Sequence, residues 1–520
     1  MSLSVSTLSS RAIEAVSSWY DYAIGSGDEY VAWPPSEARA RLEYARLGHL
    51  LYRGQHAEPL DAPTTRYEVY VVDNFLADLL DIKVGRAFRE GIGIMLGAEQ
   101  EATQAYLQHL YGTCDLGHRL RIAATGAGYR GDAFLKAYYD ADIGQVRITS
   151  VEPSLCYPEW HQLDSSRMVA LEIGQVVYDS NANAHLWMER HELRDGDGWI
   201  TNRLWRLKRD QTWGYIYDRK ADEVDLSAVD VLAGMDAEYE TGVDDLLVVH
   251  IPNSQTEEGQ PWGDAWGVSE FDGLITLQAA LNDNLSGCRD LLRKAVKPIV
   301  QGPDLLDEYG EINFDDFDYV VRTSGDDSTI QIVTWNQDTQ AVESERADLR
   351  HSMARNAGID PHAVEPPETG GPVSGKAIRM SQHRTQASAQ DMQSQWDGPI
   401  RRILSVATKL AVAQGRDLAY LGEGGAAFEA VEPADITLVW SDGLPNDRME
   451  EIEEQSARIA DGTQSRVDAI AVLDGVNDED AQVKYQEIQS EQPVQQPTAS
   501  WGAGALFGTD EGETLPTFGA

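Results

Sequence analysis

The sequence predicts an α+β fold, because helical and strand-like patterns occupy separate stretches of the chain. Apolar residues recur at three- and four-residue spacing over 36–52 and 73–89, as along one face of a helix, and a further helix is expected over 97–111. From 131 to about 251 the pattern changes to short alternating runs separated by Gly, Asp and Asn, which is typical of antiparallel strands.

The strongest helical signal lies between Ser269 and Pro298. Ser269 is a suitable N-cap with Asp272 three residues later, and Pro298 should end the helix. At 1.5 Å per residue this helix would be a rod of about 45 Å. Its apolar stripe, with spacings of three and four throughout, consists of Phe271, Leu274, Leu277, Leu281, Leu285, Cys288, Leu292 and Ala295.

The region after this helix alternates between a small insert and further helices. Residues 301–337 contain two strand-like segments, and a second helix is expected over about 338–357, with Gly358 at its C-terminal end. A third long helix should begin at about 375 and be interrupted near Gly398 and Pro399, because proline removes a helix hydrogen bond.

Towards the C-terminus the sequence predicts a strand over 434–442 and acidic amphipathic helix over 446–490. Residues 491–520 contain no Lys or Arg and are rich in Gly, Pro and Gln. We expect this tail to be disordered on its own and to be held only within an assembly.

Composition excludes several classes of protein. The chain has 520 residues, which predicts roughly two to four domains, and its 42% hydrophobic content excludes global disorder. We expect no transmembrane span and no signal peptide, because no apolar run approaches the length of about 18 residues that spanning requires. Cys114, Cys156 and Cys288 match no metal-ligand spacing and are expected to be buried thiols in a reducing compartment.

Acidic residues outnumber basic residues 86 to 42, which gives a formal net charge of −44. This balance disfavours a general binder of duplex DNA, because such proteins need a basic surface to neutralise phosphates. Any contact with nucleic acid should therefore involve only a few local basic groups.

Residues 370–377, GGPVSGKA, come within one residue of the phosphate-binding loop GxxxxGK[ST]. Such a loop lies between a buried strand and a helix, and its final hydroxyl group ligates Mg²⁺. Here the preceding ten residues contain three prolines, which a central strand excludes, and Ala377 stands at the hydroxyl position. The motif therefore predicts a glycine-rich surface loop, with Ser374 capping a helix, and we expect the protein not to be an enzyme.

Residues 381–395 are polar on nearly every side, which suits neither a core helix nor an ordinary amphipathic helix. A small basic group lies at the start of this helix and is formed by Lys376, Arg379, His383 and Arg384. One interpretation is a solvated helix face, and the other is the wall of a wet channel that touches a polyanion. The residues alone leave both interpretations open.

The segment HLWMERH is the best local candidate for a metal site, because His185, Glu189 and His191 share strand parity. At about 3.3 Å per residue the two histidines would lie about 20 Å apart on one strand, so they cannot share a metal ion and a structural role is favoured. The sequence DGDG at 195–198 lacks the rest of a calcium loop and predicts a hairpin turn. We therefore expect no metal site and no cofactor.

Six segments occur in a fixed order over roughly residues 36–490. They are NFLADLLDIKVGRAFREGI, GYRGDAFLKAYYDADIGQVRITSVEPSLCYPEW, LVVHIPNSQ, GVSEFDGLITLQAALNDNLS, SGKAIRM and WSDGLPNDRMEEIEEQSARIADGTQSRVDAI. No segment is diagnostic alone, but in this order they resemble the portal proteins of tailed bacteriophages and related archaeal viruses of the siphovirus type.

The resemblance implies a portal fold that assembles as a ring of about twelve subunits at one capsid vertex, through which double-stranded DNA is packaged, retained and ejected. The implied partners are the terminase large subunit, the major capsid and scaffolding proteins and a head-completion or adaptor protein, with no membrane. The implied location is the virion, and the host cytoplasm during assembly. By position, the chain would divide into an N-terminal arm (1–29), a mixed α/β wing (30–266 and 375–445), a stem of long helices (267–300 and 338–358), a small α/β clip (301–337), a tunnel loop (359–374), a helical crown (446–490) and a C-terminal tail (491–520).

The resemblance also implies two sets of functional residues. Those expected to face DNA, in the tunnel loop and the start of the next helix, are Glu368, Thr369, Gly370, Gly371, Ser374, Lys376, Arg379, His383 and Arg384. A lone helical rod has little core of its own, so its apolar residues should be covered by neighbouring subunits. The stem residues expected to make these contacts are Leu274, Leu281, Leu285 and Leu292.

Two other classes stay open at this point. Another virion structural protein, such as a capsid or tail-tube subunit, is disfavoured by the two long helices on either side of a small insert. An acidic hydrolase is less favoured still, because 86 carboxylate residues produce close pairs by chance.

Overall fold

The computed structural model describes residues 32–33, 36–206, 217–218, 223–255, 260–296, 299–302, 320–322, 331–333, 339–364, 382–415, 417–422, 424–441, 448–474 and 478–491. The chain divides into two compact units, Met1–Leu444 and Pro445–Ala520. Helices and strands occupy largely separate stretches of the first unit, as expected for an α+β protein.

Most helices of the first unit begin and end within a few residues of the predicted bounds. A helix over 116–130 was not predicted. The described helices are α1 (Arg39–Tyr52), α2 (Phe75–Phe88), α3 (Glu101–Thr113), α4 (Leu116–Arg130), α5 (Ile275–Val296), α6 (Thr339–Asn356), α7 (Pro361–Val364), α8 (His383–Ala413) and α9 (Leu418–Gly422).

The predicted strand region, residues 131 to about 251, is confirmed as antiparallel sheet, and the described chain has further strands on either side of it. The strands are β1 (Ala32–Trp33), β2 (Ile92–Met95), β3 (Asp132–Asp140), β4 (Gln145–Val151), β5 (Cys156–His161), β6 (Asp164–Tyr178), β7 (Ala184–Arg194), β8 (Asp197–Arg206), β9 (Tyr217–Asp218), β10 (Glu223–Val224), β11 (Glu238–Glu240), β12 (Val248–Pro252), β13 (Ile299–Gly302), β14 (Val320–Arg322), β15 (Gln331–Val333) and β16 (Thr437–Trp440).

These strands form five sheets. A six-stranded sheet has the order β10-β8-β7-β6-β5, with β11 also paired to β8, and two three-stranded sheets have the orders β12-β3-β4 and β14-β13-β15. The remaining pairs are β1-β9 and β16-β2. The turn between β7 and β8 has positive φ at Asp195 and Gly196, 54° and 101°, as a tight hairpin requires, so the hairpin predicted at 195–198 is confirmed.

One large core joins the helices to the sheet β12-β3-β4. Helix α8 crosses this core and buries Trp396 completely, edge-on to Phe88 with ring centroids 5.3 Å apart. At Gly48 in α1 an added Cβ would lie 1.9 Å from a backbone oxygen of α4, and at Gly128 in α4 it would lie 2.3 Å from the Leu80 side chain. These two glycines therefore let α4 pack closely against α1 and α2.

Helix α8 shows that the interruption predicted near Gly398 and Pro399 is wrong, because Pro399 lies inside one continuous helix of 31 residues. Trp396 and Ile400, on either side of the proline, are buried in the core. Gly398 has no Cβ to clash with the proline ring, so the usual steric restriction on the preceding residue is reduced. Tertiary packing thus holds the helix through this point.

The start of α8 also corrects the expectation of a stretch that is polar on every side. Thr385, Ala389 and Met392 are buried at helical spacing and continue the buried stripe of Trp396. The stretch is therefore amphipathic, but small and weakly polar residues form its buried face.

The helix predicted from Ser269 begins later than expected. Residues Asp272–Leu274 form a 3-10 turn, and Ser269 Oγ accepts a hydrogen bond from the Phe271 N–H at 3.2 Å, before α5 starts at Ile275. With 22 residues, α5 is about 33 Å long rather than about 45 Å. Helix α6 ends as predicted, with Gly358 in the left-handed region at φ 74°.

The second unit is helical in its described part, as predicted for 446–490. Its helices are α10 (Arg448–Ala460), α11 (Arg466–Asp474) and α12 (Asp478–Glu491). The predicted arm (1–29) and almost all of the predicted tail lie outside the described residues. The assignment of the described elements to wing, stem, clip and crown stays a prediction.

Candidate functional site: the α5–α6 helix pair

The apolar residues at the start of α5 are covered by the chain's own core. Leu274 is 3% exposed and Leu281 is fully buried, and both belong to the large core of the first unit. Their burial therefore needs no second subunit. Of the four leucines predicted to contact a neighbour, Leu285 is partly buried against this core and Leu292 is 48% exposed, so these two are the ones available for such a contact.

A second buried stripe on α5 is polar and was missed by the sequence reasoning. Gln278, Asn282 and Ser286 recur every four residues and are fully buried. Asn282 Oδ1 accepts the Asp73 N–H at 3.1 Å, and Ser286 Oγ accepts the Val71 N–H at 2.9 Å. Gln278 Nε2 donates to the Asp73 carbonyl at 2.6 Å. The stripe therefore satisfies the backbone of the segment before α2, which lies along α5 without a strand partner.

His56 completes this polar contact. The Asn282 amide donates to His56 Nδ1 at 2.9 Å, so the ring proton lies on Nε2, which is 3.0 Å from both the Leu51 carbonyl and Asn74 Oδ1. Burial lowers the pKa of His56 below its ordinary value, because the charged imidazolium loses its hydration. The neutral imidazole thus joins α5 to the end of α1 and the start of α2.

Helix α6 packs against α5 and contacts the same segment. Arg350 donates from Nε and Nη2 to Asp73 Oδ2 at 3.1 and 2.7 Å. Asn284 Nδ2 on α5 donates to Glu345 Oε2 on α6 at 2.8 Å. Hydrogen bonds therefore hold the two helices and the 71–74 segment together.

Beyond Ser286, no described residue of α5 belongs to the core. A shallow groove follows the exposed end of the helix, and we call it the arginine groove; its lining residues are Val71, Leu285, Cys288, Arg289, Leu292, Arg293 and Arg346. Arg293 pairs with Glu68 at its edge. The prediction that all three cysteines are buried is wrong for Cys288, which is partly exposed in this groove, and correct for Cys114 and Cys156.

The opposite side of α6 carries a different surface, which we call the acidic face. Its residues repeat at helical spacing and combine two carboxylates with small side chains: Ala341, Ser344, Glu345, Asp348, Leu349 and Ser352. The helix pair therefore has two unlike surfaces. The arginine groove is basic and apolar, and the acidic face combines carboxylates with small side chains.

The residues predicted to face DNA fall mostly outside the described part of the chain, which omits 365–381 and with it Glu368, Thr369, Gly370, Gly371, Ser374, Lys376 and Arg379. His383 and Arg384 are described and are exposed at the start of α8. The Asp360 N–H donates to Thr385 Oγ1 at 2.8 Å, so the residues on either side of 365–381 are held together. Whether any of these residues faces DNA stays a prediction.

The candidate metal residues in β7 have other contacts. Lys136 Nζ on β3 donates to Glu189 Oε2 at 2.6 Å, and His191 Nε2 lies 2.5 Å from Glu189 Oε1. His185 Nδ1 instead lies 3.1 Å from the Asn183 carbonyl. Burial alone would raise the pKa of Glu189, but the Lys136 ammonium and His191 hold it at about 2. The group therefore forms a buried ion pair between two sheets.

We expect Lys136→Met to destabilise the fold by about 3–5 kcal/mol at neutral pH, because it leaves the Glu189 carboxylate buried without its partner. In the native protein, the depressed pKa of Glu189 means that the pair's contribution is complete above about pH 4.5 and is lost as the pH falls towards 2. In the variant the pKa of Glu189 should rise, so the loss of stability should be larger at pH 8 than at pH 5. Denaturant unfolding of the full chain at both values measures this.

The matched control is Lys136→Met combined with Glu189→Gln, which removes both charges. We expect this double variant to recover part of the stability and to lose the extra pH dependence. A single variant whose unfolding midpoint matches the native protein at pH 8 would contradict the assignment.

Within the described residues, no group of three or more His, Cys, Asp or Glu side chains is arranged to hold a metal ion. No helix in the part of the chain that the structure describes is long and apolar enough to cross a membrane.

Comparison with known protein families matches residues 37–497, most of the chain, to the family described as phage portal protein, SPP1 Gp6-like. Among curated proteins no match was found. The family match spans the core, the α5–α6 pair and the described helices of the second unit. The chain therefore belongs to the phage portal proteins.

Proposed function

We propose that this protein forms a ring of about twelve subunits at one capsid vertex, and that double-stranded DNA is packaged, retained and ejected through the channel of that ring. Family membership implies a ring oligomer, a place in the virion and a structural rather than enzymatic role. The observation that carries the proposal is the α5–α6 pair, two antiparallel helices joined through the small sheet β14-β13-β15, inside the family match.

The proposal gives each region a task. The α5–α6 pair is the stem, and the sheet that joins its helices belongs to a clip on which the terminase large subunit docks during packaging. Head-completion or adaptor proteins, and then the tail, replace the motor afterwards. The major capsid and scaffolding proteins surround the wing during assembly in the host cytoplasm.

The net charge of −44 supports a channel rather than a clamp. Each phosphate that a Lys or Arg neutralises adds salt-dependent affinity, so a strongly basic channel would hold DNA too tightly for it to move. A mostly acidic channel repels the duplex and lets it slide, while a few basic groups keep it centred.

Negative-stain microscopy of the purified full chain tests the proposal. Rings with a central hole are expected. Shells or tubes would favour a capsid or tail-tube subunit, and monomers at every concentration would favour neither and would overturn the ring.

We also expect the protein neither to bind nor to hydrolyse ATP, because Ala377 stands where a phosphate-binding loop needs a hydroxyl for Mg²⁺. Isothermal titration calorimetry with Mg–ATP should show no saturable heat. Stoichiometric binding that is lost in Lys376→Ala would contradict this expectation.

A further inference from the structure

The arginine groove has charge and apolar surface that the described residues of a single chain leave exposed. Arg289 is exposed and, among the described residues, has no salt-bridge partner. Leu292 and its neighbour Leu291 are each 48% exposed. A surface of this kind fits a partner with carboxylates at its rim and short side chains at its centre.

The acidic face has those properties. Glu345 and Asp348 are exposed, and Asp348 has no salt-bridge partner within the described residues. Ala341, Ser344 and Ser352 are small, so a second helix can approach this side of α6 closely. The surface that complements the arginine groove is therefore present on the same chain, on another side of the helix pair.

We propose that the arginine groove of one subunit receives the acidic face of the next, so that Arg289 pairs with Asp348 across each subunit boundary. The inference rests on the proposed ring. A closed ring of identical subunits uses two unlike, complementary surfaces, one towards each neighbour, and the α5–α6 pair carries such surfaces. The apolar floor at Leu285 and Leu292 supplies burial, and the charges fix which surfaces meet.

Duplex DNA is a less suitable occupant of the arginine groove. Phosphate contacts are made by exposed cations along a polar surface, whereas this groove has leucine and valine along its floor. One of its three arginines is already paired with Glu68. A carboxylate-bearing helix satisfies both the apolar and the charged parts of the groove.

Charge reversal of the full chain tests the pairing. Arg289→Glu and Asp348→Arg are the sharpest changes, because both side chains are exposed and neither has an ion pair within the described residues. We expect each single variant to raise the protein concentration at half-maximal ring assembly by about tenfold or more at low salt, since it places like charges in contact. The double variant should return to within about threefold of the native value.

Mixing the two single variants separates contacts between chains from contacts within one chain. In an equimolar mixture, rings in which the variants alternate restore an opposite-charge pair at every boundary, so assembly should recover. Recovery in the double variant without recovery in the mixture would mean that Arg289 and Asp348 interact within one subunit, and would overturn the proposal. Thermal unfolding of each variant, measured at a concentration below ring assembly, should match that of the native monomer, because both positions are exposed.

Cys288 provides an independent readout, since Cys114 and Cys156 are buried. In Ser344→Cys, oxidation should link Cys288 of one subunit to the new cysteine of the next, giving a ladder of covalent oligomers that Cys288→Ser abolishes. If oxidation instead links the two cysteines within one chain and gives no covalent oligomers, the proposal is contradicted.

The remaining outcomes are also distinct. If the native protein forms no rings, the proposed function fails. If rings form but both single variants assemble like the native protein, the ring stands and this pairing is wrong. If Arg289→Glu assembles normally but binds a duplex of about 30 base pairs more weakly, the groove is a DNA contact and the pairing is likewise wrong.

Discussion

Leu292→Asp is expected to abolish ring assembly at concentrations where the native protein is fully assembled. Leu292 is 48% exposed in the single chain, so an aspartate there is hydrated in the monomer, and the monomer should keep its stability. In the proposed ring the same side chain is covered by the neighbouring acidic face, and burying a new carboxylate against the carboxylates of that face costs several kcal/mol. We expect the concentration at half-maximal assembly to rise by about 100-fold or more, as measured by sedimentation velocity.

The same helix supplies the controls. Leu281 is fully buried within the chain, so Leu281→Asp should unfold the first unit and lower the melting temperature of the monomer. Leu285 is partly buried against the core, and Leu285→Asp should therefore impair both folding and assembly. Native rings from Leu292→Asp would show that the exposed end of α5 is not at a subunit boundary.

The decrease in burial from Leu281 to Leu292 along α5 could not be predicted from the sequence. The apolar stripe of α5 looks uniform in periodicity, and periodicity indicates which residues share a face but not what covers that face. The chain's own core covers Leu274 and Leu281, while the described residues leave Leu292 48% exposed. The polar stripe of Gln278, Asn282 and Ser286 was missed for a related reason. In a sequence, polar residues at four-residue spacing look like a solvated helix face. Here they are buried because the segment at Val71 and Asp73 lies against them and donates its backbone hydrogen bonds to them.

The errors at α4 and α8 have a common physical origin. Helix α4 contains Gly126 and Gly128, which lower intrinsic helix propensity, yet Gly128 is what allows Leu80 to pack against it. In α8 the Gly398–Pro399 pair is a strong local signal for a break, and packing of Trp396 and Ile400 overrides it. The helix propensity of individual residues predicted the helices that have ordinary apolar stripes. It failed where close packing between helices determined which residue occupies a position.

Replacing both Lys376 and Arg379 by Glu is expected to leave rings and procapsids normal but to reduce the DNA that is packaged or retained. Both residues belong to the small basic group that continues at His383 and Arg384, which are exposed at the start of α8. In the proposed ring we expect this group to face the channel, as a local basic contact in a chain with a net charge of −44. Each contact with a phosphate should be weak, under about 1 kcal/mol by analogy with exposed ion pairs.

Weak contacts predict a graded result. Removing one charge, as in Lys376→Ala, should have a small effect, because the remaining contacts keep the duplex centred. Reversing two charges adds repulsion in every subunit at once, so the defect should be large. It should also grow as salt is lowered, since the Debye length rises from about 10 Å at 0.1 M to about 30 Å at 0.01 M. Packaged DNA per particle, measured across salt concentrations, tests this.

Arg203→Glu combined with Arg206→Glu is the matched control, because these exposed arginines on β8 have the same three-residue spacing and produce the same change in charge. If net charge alone mattered, the control would reduce packaging as much as the change at Lys376 and Arg379. Local contact with DNA predicts instead that the control packages normally, since only groups within about a Debye length of the duplex act on it strongly. Should Lys376→Glu with Arg379→Glu package and retain DNA like the native protein at every salt concentration, these side chains do not face the channel, and the basic group at the start of α8 is an ordinary solvated surface.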